Sequence, residues 1–291
     1  MGTSDACIVT CAVTGAVTTK AQHEAIPYTP EEYAKQVRDA RDSGASVVHI
    51  HARDPEGTPS VEIEDFRAIT EAVLDVTPDI VINYSTGTVG IPVDKRIAYL
   101  AALKPELGAL NMGSMNYAKW SETRKDFVFN FVFQNPFDEI IALVTAMKAH
   151  GIKPEMECFD VGHVESIEPL VDMGLLDEPM QFSLILGVLG GIQADARNLA
   201  HMASRVPTGS NWEVIGISRD QWMLVSAASA LGGNVRVGLE DNFYLPDGEK
   251  ASGNGELVEW AVKAVQLTGR RPAEPNEARA MLGIAIPDRA A

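Results

Sequence analysis

Two groups of residues in this chain have the types and spacing to do chemistry. The first is His49-Ile50-His51, within the run Ser46-Val47-Val48-His49-Ile50-His51-Ala52-Arg53-Asp54. Val47 to Ile50 is β-branched apart from His49, which is strand composition. Side chains two apart on a strand share a face, so both imidazoles point the same way. Such a pair either binds a transition metal or packs as two satisfied core histidines. Arg53 and Asp54 crowd charge at the strand's end and favour a site. The second group is Arg236-Val237-Gly238-Leu239-Glu240-Asp241. By the same period Arg236, Gly238 and Glu240 share a face, and an Arg and a Glu inside a fold are costly unless paired or ligated. Glu240 then serves as a third ligand. Two His and one carboxylate with open positions suit catalytic zinc and also non-haem iron. An open metal acts as a Lewis acid on a carbonyl. Asp241 follows as the general base, with Arg236 and Glu157 fixing its orientation and charge. The chemistry expected is metal-assisted proton abstraction beside a carbonyl.

The elements that must position these groups alternate along the chain. The first strand runs from Cys7 to Thr14. A helix opens at Thr29-Pro30-Glu31-Glu32, with Thr29 as cap and Glu32 completing a capping box, and it stops near Ser43-Gly44. The histidine strand follows. Further strands are expected at Ile80 to Tyr84, Ala109 to Ser114, Glu155 to Phe159, Gln181 to Gly187, Trp212 to Ser218 and Asn234 to Leu239. Helices fall between them, among them Val93 to Leu103 and Val164 to Met173, and two more close the chain near Glu256 to Leu267 and Glu274 to Leu282. Residues 115–135 read irregularly, although Phe127, Phe129, Phe131 and Phe133 alternate and predict an extended segment with one buried face. Strand and helix alternating about eight times indicate a single (β/α)8 TIM barrel over residues 1–291, with extra C-terminal helices. A doubly wound sheet would want Gly-x-Gly-x-x-Gly after its first strand, where the chain has only Thr14-Gly15-Ala16. Active sites of such barrels sit at the C-terminal strand ends. Here those ends carry Thr14, expected at the substrate, together with Ser85, Asn111, Ser114, Glu157, Ser218 and Arg219.

Composition narrows the partners. The chain of 291 residues has 40 acidic against 24 basic residues, a net charge of -16, which argues against nucleic acid. It also repels anionic substrates at long range, so a site that uses them needs local cations. No apolar run reaches membrane-spanning length, and Asp5 sits where a secretory signal would be apolar. Three cysteines, Cys7, Cys11 and Cys158, without framework spacing suit reduced thiols in a cytoplasm.

The ordered motifs resemble the β-keto acid cleavage enzymes over nearly the whole chain. They are Thr14-Gly15-Ala16 with Thr19-Lys20, Pro27 to Glu32, His49-Ile50-His51-Ala52-Arg53, Ser85-Thr86-Gly87, Leu103 to Glu106, Leu110 to Gly113, Leu186 to Gly191, and Arg236 to Asn242. The resemblance implies a zinc-dependent exchange in which a β-keto acid and acetyl-CoA give acetoacetate and a new acyl-CoA. Zn2+ would sit on His49, His51 and Glu240. Asp241, supported by Glu157 and Arg236, would take the proton between carboxylate and ketone, and Ser85 would contact the substrate. It implies a homo-oligomer, often a tetramer. Gly187 to Gly191 either bends around the CoA arm or forms a plain strand-to-helix turn.

One departure bears on the substrate. Members acting on amino-substituted keto acids carry Glu directly after Thr-Gly-Ala, where this chain has Val17. Val17 and Ala109, both apolar and both expected in the pocket, predict an uncharged aliphatic β-keto acid. The rival readings are a metal aldolase or amidohydrolase-like hydrolase, and a metal- or acid-binding barrel without turnover. Amidohydrolases want their His-x-His on the first strand and more histidines at later strand ends, whereas His150, His163 and His201 here fall on or beside helices.

Overall fold

The structure is a computed structural model that describes residues 5–287. In chain order, β1 (Ala6–Cys7) leads into β2 (Val9–Thr14), α1 (Pro30–Asp42), β3 (Val47–Ile50), α2 (Ile63–Val76), β4 (Val81–Tyr84), α3 (Val93–Leu103) and β5 (Leu107–Asn111). Next come β6 (Met115–Ser121), β7 (Asp126–Phe133), α4 (Phe137–His150), β8 (Lys153–Cys158), α5 (Val161–Glu165), α6 (Glu168–Asp172) and β9 (Gln181–Leu186). The chain continues through α7 (Ala196–Ala203), β10 (Asn211–Gly216), α8 (Gln221–Ala230), β11 (Asn234–Val237), α9 (Asn254–Leu267), β12 (Arg271–Pro272) and α10 (Pro275–Leu282).

Strands β2, β3, β4, β5, β8, β9, β10 and β11 close into one parallel barrel, as expected, when β11 pairs with β2. Local chemistry sets the element limits. The Thr29 and Glu32 side chains form the expected capping box at the start of α1, with Pro30 at its first position. The barrel's lower end is shut by α10, where Ala278 and Leu282 pack on Ile8, Val47, Val81 and Leu107 at or beside the strand starts. Arg279, 1% exposed, pins that helix by a two-pronged bond to Glu106 and by donating to the carbonyls of Asp79 and Ile80. Among the described residues, that seal leaves the C-terminal end of the barrel as the way in for a ligand.

Three expectations need correction. Residues 115–133 are an antiparallel hairpin, β6 with β7, rather than an irregular extended segment. Its ring-bearing face is buried only at its base, from Phe133, while Phe127 at the far end is exposed. The fourth barrel strand lies at Leu107–Asn111, two residues earlier than expected. The single helix expected over Val164 to Met173 is two short ones, because Pro169 has no N–H to continue a helix and suits the second position of a new one. Among the described residues, no helix is long and apolar enough to cross a membrane, and all three cysteines are free and buried.

Candidate active site

His49 leaves β3 pointing into the barrel, and His51 follows one residue beyond the strand on the same side. Their ring centroids lie 5.2 Å apart. Glu240 reaches them by a route that strand periodicity does not predict. β11 ends at Val237, and Gly238 turns the chain with φ 143° so close to β2 that a Cβ would fall 2.2 Å from the Ala12 carbonyl oxygen. Only glycine fits there. The Glu240 N–H then donates to Ala12 (3.1 Å), and its side chain crosses Gly15, where a Cβ would meet Glu240 Cγ at 2.7 Å. Glu240 Oε1 lies 3.3 Å from His51 Nε2, and Oε2 lies 3.7 Å from His49 Nε2.

Arg236, fully enclosed on β11, binds three carboxylates. It holds Asp241 in a two-pronged grip at 3.0 and 3.1 Å, Glu240 at 2.9 Å and Glu157 at 3.5 Å. Burial works against its charge, but Asp241, Glu240 and Glu157 together raise its pKa well above the usual value. Burial pushes the Glu240 carboxyl up, yet Arg236 and then the two histidines pull it below the ordinary range. Glu157 is pushed up to about 8 by burial and by Glu155. Asp241 is raised to about 6 by burial, against the pull of Arg236, which makes it more basic than a surface carboxylate. Burial, with Arg236 beside it, drives the His49 pKa well below its normal value, so the ring is neutral and its lone pair free.

His49, His51 and Glu240 form a set whose ligand atoms lie within 4.8 Å of one another. Both nitrogens of His49 and Oε2 of Glu240 are buried without a hydrogen-bond partner, so a divalent cation fits this donor set. A second set, His49, Glu155 and Glu157, meets the same distance limit. There both Glu155 oxygens already accept bonds, from Ser183 (2.5 Å) and from Asn83, so it fits less well.

The group opens into a cavity of about 860 Å³ whose lining includes His51, Ser85, Asn111, Glu157, Arg236, Glu240 and Asp241. Ser85 Oγ accepts from the Gly87 N–H at 3.1 Å, which leaves its own proton free for a ligand. Asn111 has both amide atoms unpartnered. Asn111 stood among the polar strand ends, and its position at the end of β5 was the signal that marks it. The hairpin supplies a wall that periodicity hinted at but could not place: Tyr117 stacks on Phe131 (5.4 Å) and Phe129 (6.1 Å), and all three line the cavity.

Other expected positions fall elsewhere. Val17 lines the cavity at its rim and is 60% exposed. Thr14 and Ala109 are fully buried and do not line it. Ala109 lies two residues below Asn111 on the same strand, so Asn111 takes the mouth position. Thr14 follows a break in the β2–β3 register, which sets it beside Ile50 rather than a site residue. Arg53 and Asp54 do not line the cavity: Arg53 donates to the carbonyls of Gly15, Thr18 and Gly57 and so clamps the loop after β2, and Asp54 accepts from the Thr58 N–H. Leu189, in the turn after β9, pairs with Ala118 of the hairpin, while Val188 faces the cavity.

The profile of the β-keto acid cleavage enzyme family matches residues 6–284. The chain is 37% identical to a 3-keto-5-aminohexanoate cleavage enzyme of Acetoanaerobium sticklandii, over 95% of this chain and 98% of that one. It is 33% identical to a 3-dehydrocarnitine:acetyl-CoA trimethylamine transferase of Rhizobium meliloti, over 94% and 95% of the two chains. Among solved structures, ObcA in binary complex with oxaloacetate superposes with a TM-score of 0.76 at 22% identity, over 90% of this chain and 68% of that one, a likeness of fold.

Proposed function

Because this chain belongs to the β-keto acid cleavage enzyme family, we propose that it exchanges acyl groups between an uncharged aliphatic β-keto acid and acetyl-CoA with the help of a divalent metal, zinc, on His49, His51 and Glu240. The observation that carries this reading is the unfinished donor set of His49 and Glu240 beside the Arg236–Asp241 pair, at the foot of the cavity. When bound, the metal supplies Lewis-acid polarisation of the keto acid's oxygens.

The chain's own residues do the rest. Asp241, held in line by the Arg236 fork, accepts the proton from the carbon between carboxylate and ketone. Arg236 balances the charge that Asp241 and Glu240 bring into a buried space and also donates to Glu157 at 3.5 Å. Ser85 and Asn111 offer donors to the substrate's oxygens from the facing strand ends. The carbon nucleophile so formed displaces CoA from the acetyl thioester, and the freed thiolate attacks the substrate's original ketone. Cleavage of the old carbon–carbon bond leaves the remaining acyl group on CoA and an acetoacetate enolate, which takes back the proton held by Asp241 and leaves as acetoacetate.

The substrate class rests on the lining. Every carboxylate there, Glu157, Glu240 and Asp241, is bound to Arg236, so none is free to meet an ammonium group, while Val17, Val89, Val128 and Val188 are apolar. The test is incubation of the purified protein with acetyl-CoA and a panel of β-keto acids, following acetoacetate and the new acyl-CoA, with metal analysis of the same preparation. Acetoacetate from none of the panel would sink the reading.

A further inference from the structure

The ionic residues of the cavity separate by depth. The inner ones are the cluster around Arg236. The outer ones, Lys119, Arg219 and Lys250, are all cations and all exposed, and none makes an ion pair with a described residue. In a chain with 40 acidic and 24 basic residues, three unpaired cations at the mouth of one cavity run against the overall charge.

Two of the three are fixed in place. Arg219 lies 3.7 Å over the ring of Tyr244 and donates to the Gly248 carbonyl at 3.3 Å. Tyr244 pairs with Lys250 across an antiparallel bridge, and Lys250 Nζ donates to the Gln22 carbonyl at 2.8 Å. Arg219 follows Ser218, a non-glycine residue with φ 62°, whose N–H donates to the Asp241 carbonyl at 2.8 Å. Left-handed backbone at serine is strained and persists only where its surroundings enforce it. Here it ties the cation-bearing turn to the main chain of the proposed base. The stacked rings of Tyr117, Phe129 and Phe131, with Val188 and Ile217, complete an apolar wall of the same cavity.

A ligand that fits has a reacting end, a largely uncharged arm and a polyanionic far end. We infer that Arg219 and Lys250 seat the phosphates of the CoA thioester, with its arm lying along the ring face of the hairpin. This rests on the acyl-exchange reading given above and names the part of the cavity that takes the second substrate. It also answers the electrostatic difficulty, since a chain of net charge -16 repels a nucleotide until local cations reverse the field. Arginine's planar fork suits phosphate oxygens, and its stacking on Tyr244 removes part of the entropy cost of holding it.

Acetyl-pantetheine carries the same thioester and arm without nucleotide or phosphate, so it separates the two ends of the ligand. In Arg219→Gln/Lys250→Gln the preference in kcat/KM for acetyl-CoA over acetyl-pantetheine is expected to fall about tenfold, chiefly through KM, the size of two solvent-exposed ionic contacts. An unaltered preference overturns the inference. Adenosine 3′,5′-bisphosphate binding by calorimetry gives the same answer without turnover. Wild type should bind it about tenfold more tightly than the double variant at low salt. Equal affinities, or no binding to wild type, also overturn the inference. Absence of acetoacetate from any keto acid counts instead against the activity, and leaves the calorimetric result to decide the phosphate seat.

Discussion

The barrel buries carboxylates in two layers and handles their charge in opposite ways. In the lower layer Glu155 and Glu213 are each 2% exposed and have no cation bonded to them among the described residues. Glu155 accepts from Ser183 and Asn83, and Glu213 accepts from Thr10 at 2.7 Å with Ser183 Oγ 3.0 Å away. Burial, with Glu155 beside it, raises the Glu213 pKa well above normal and favours its neutral form. What the lower layer leaves over is neutral, the amide oxygens of Asn83 and Gln181. In the upper layer Arg236 keeps Glu240 and Asp241 ionised, and the leftovers are lone pairs of His49 and Glu240 beside an open cavity. A buried polar cluster whose carboxylate oxygens all have partners, and whose leftovers are neutral, is architecture. One that satisfies its charge but withholds ligand atoms is prepared for a guest.

The strongest way to break this distinction is at the base. Asp241→Asn keeps the shape beside Arg236 but cannot accept a proton. Turnover is expected to fall about 10²–10⁴-fold, the usual contribution of a general base, while bound metal and the melting temperature stay near wild type. Exchange of the substrate's α-protons with solvent, followed by NMR, reads the step directly. If that exchange persisted unchanged in the variant, the base would lie elsewhere.

Metal content sharpens the comparison next. His49→Ala removes a ligand of the upper set and should weaken metal binding by more than the roughly 10–100-fold lost when only a supporting contact goes. Elemental analysis of dialysed protein measures it. Glu155→Gln should keep its metal, because both of its oxygens already serve the lower layer. Loss of the metal from Glu155→Gln as well would assign the ion to His49, Glu155 and Glu157 instead.

The lower layer has its own test, in which the effect moves from turnover to stability. Ser183→Ala removes the hydroxyl shared by Glu155 and Glu213. Leaving a buried hydrogen-bonding group unsatisfied costs about 1–3 kcal/mol. Denaturant unfolding should show that loss, with kcat/KM within about threefold of wild type, since the carboxylates stay in place. A large loss of activity at unchanged stability would make the lower layer part of the site.

The two layers were not equally legible in the sequence. His49 and His51 could be read because one strand period puts both on the inner face. Glu240 and Asp241 were found by a rule that does not hold at their position: the strand ends at Val237, and the glycine turn at Gly238 delivers Glu240. Barrel alternation was plain because each helix and strand carries its own period. The hairpin was hidden because its turn, Glu122 to Lys125, contains no glycine or asparagine, and Lys125 takes the left-handed position itself with φ 50°. Thr14 and Ala109 were misplaced because depth within a barrel depends on register between strands, which a single strand does not encode. Among the mouth cations, Lys119 and Lys250 lie on a hairpin and a loop whose shapes only tertiary contacts fix.

The smallest expected effect concerns the side chain of the keto acid, and it follows from the exposure of Val17. An ammonium group carried beyond the ketone loses water at a wall of Val17, Val89 and Val128 and finds no free carboxylate in the lining. Glu24, the next acid along the same loop, does not line the cavity. Methylenes in the same place gain about 0.8 kcal/mol each when fully buried. Wild type is therefore expected to use 3-oxohexanoate with a higher kcat/KM than its 5-amino derivative. Val17→Glu supplies the missing counter-charge, but at a position that is 60% exposed. A solvent-exposed ion pair contributes about 0.2–1 kcal/mol, so the ratio should move toward the amino compound by no more than about fivefold and shrink further in high salt. A wild-type preference for the amino compound would defeat the assignment of an uncharged substrate. A ratio unmoved by the substitution would instead show that the keto acid's side chain points away from Val17, toward the hairpin wall.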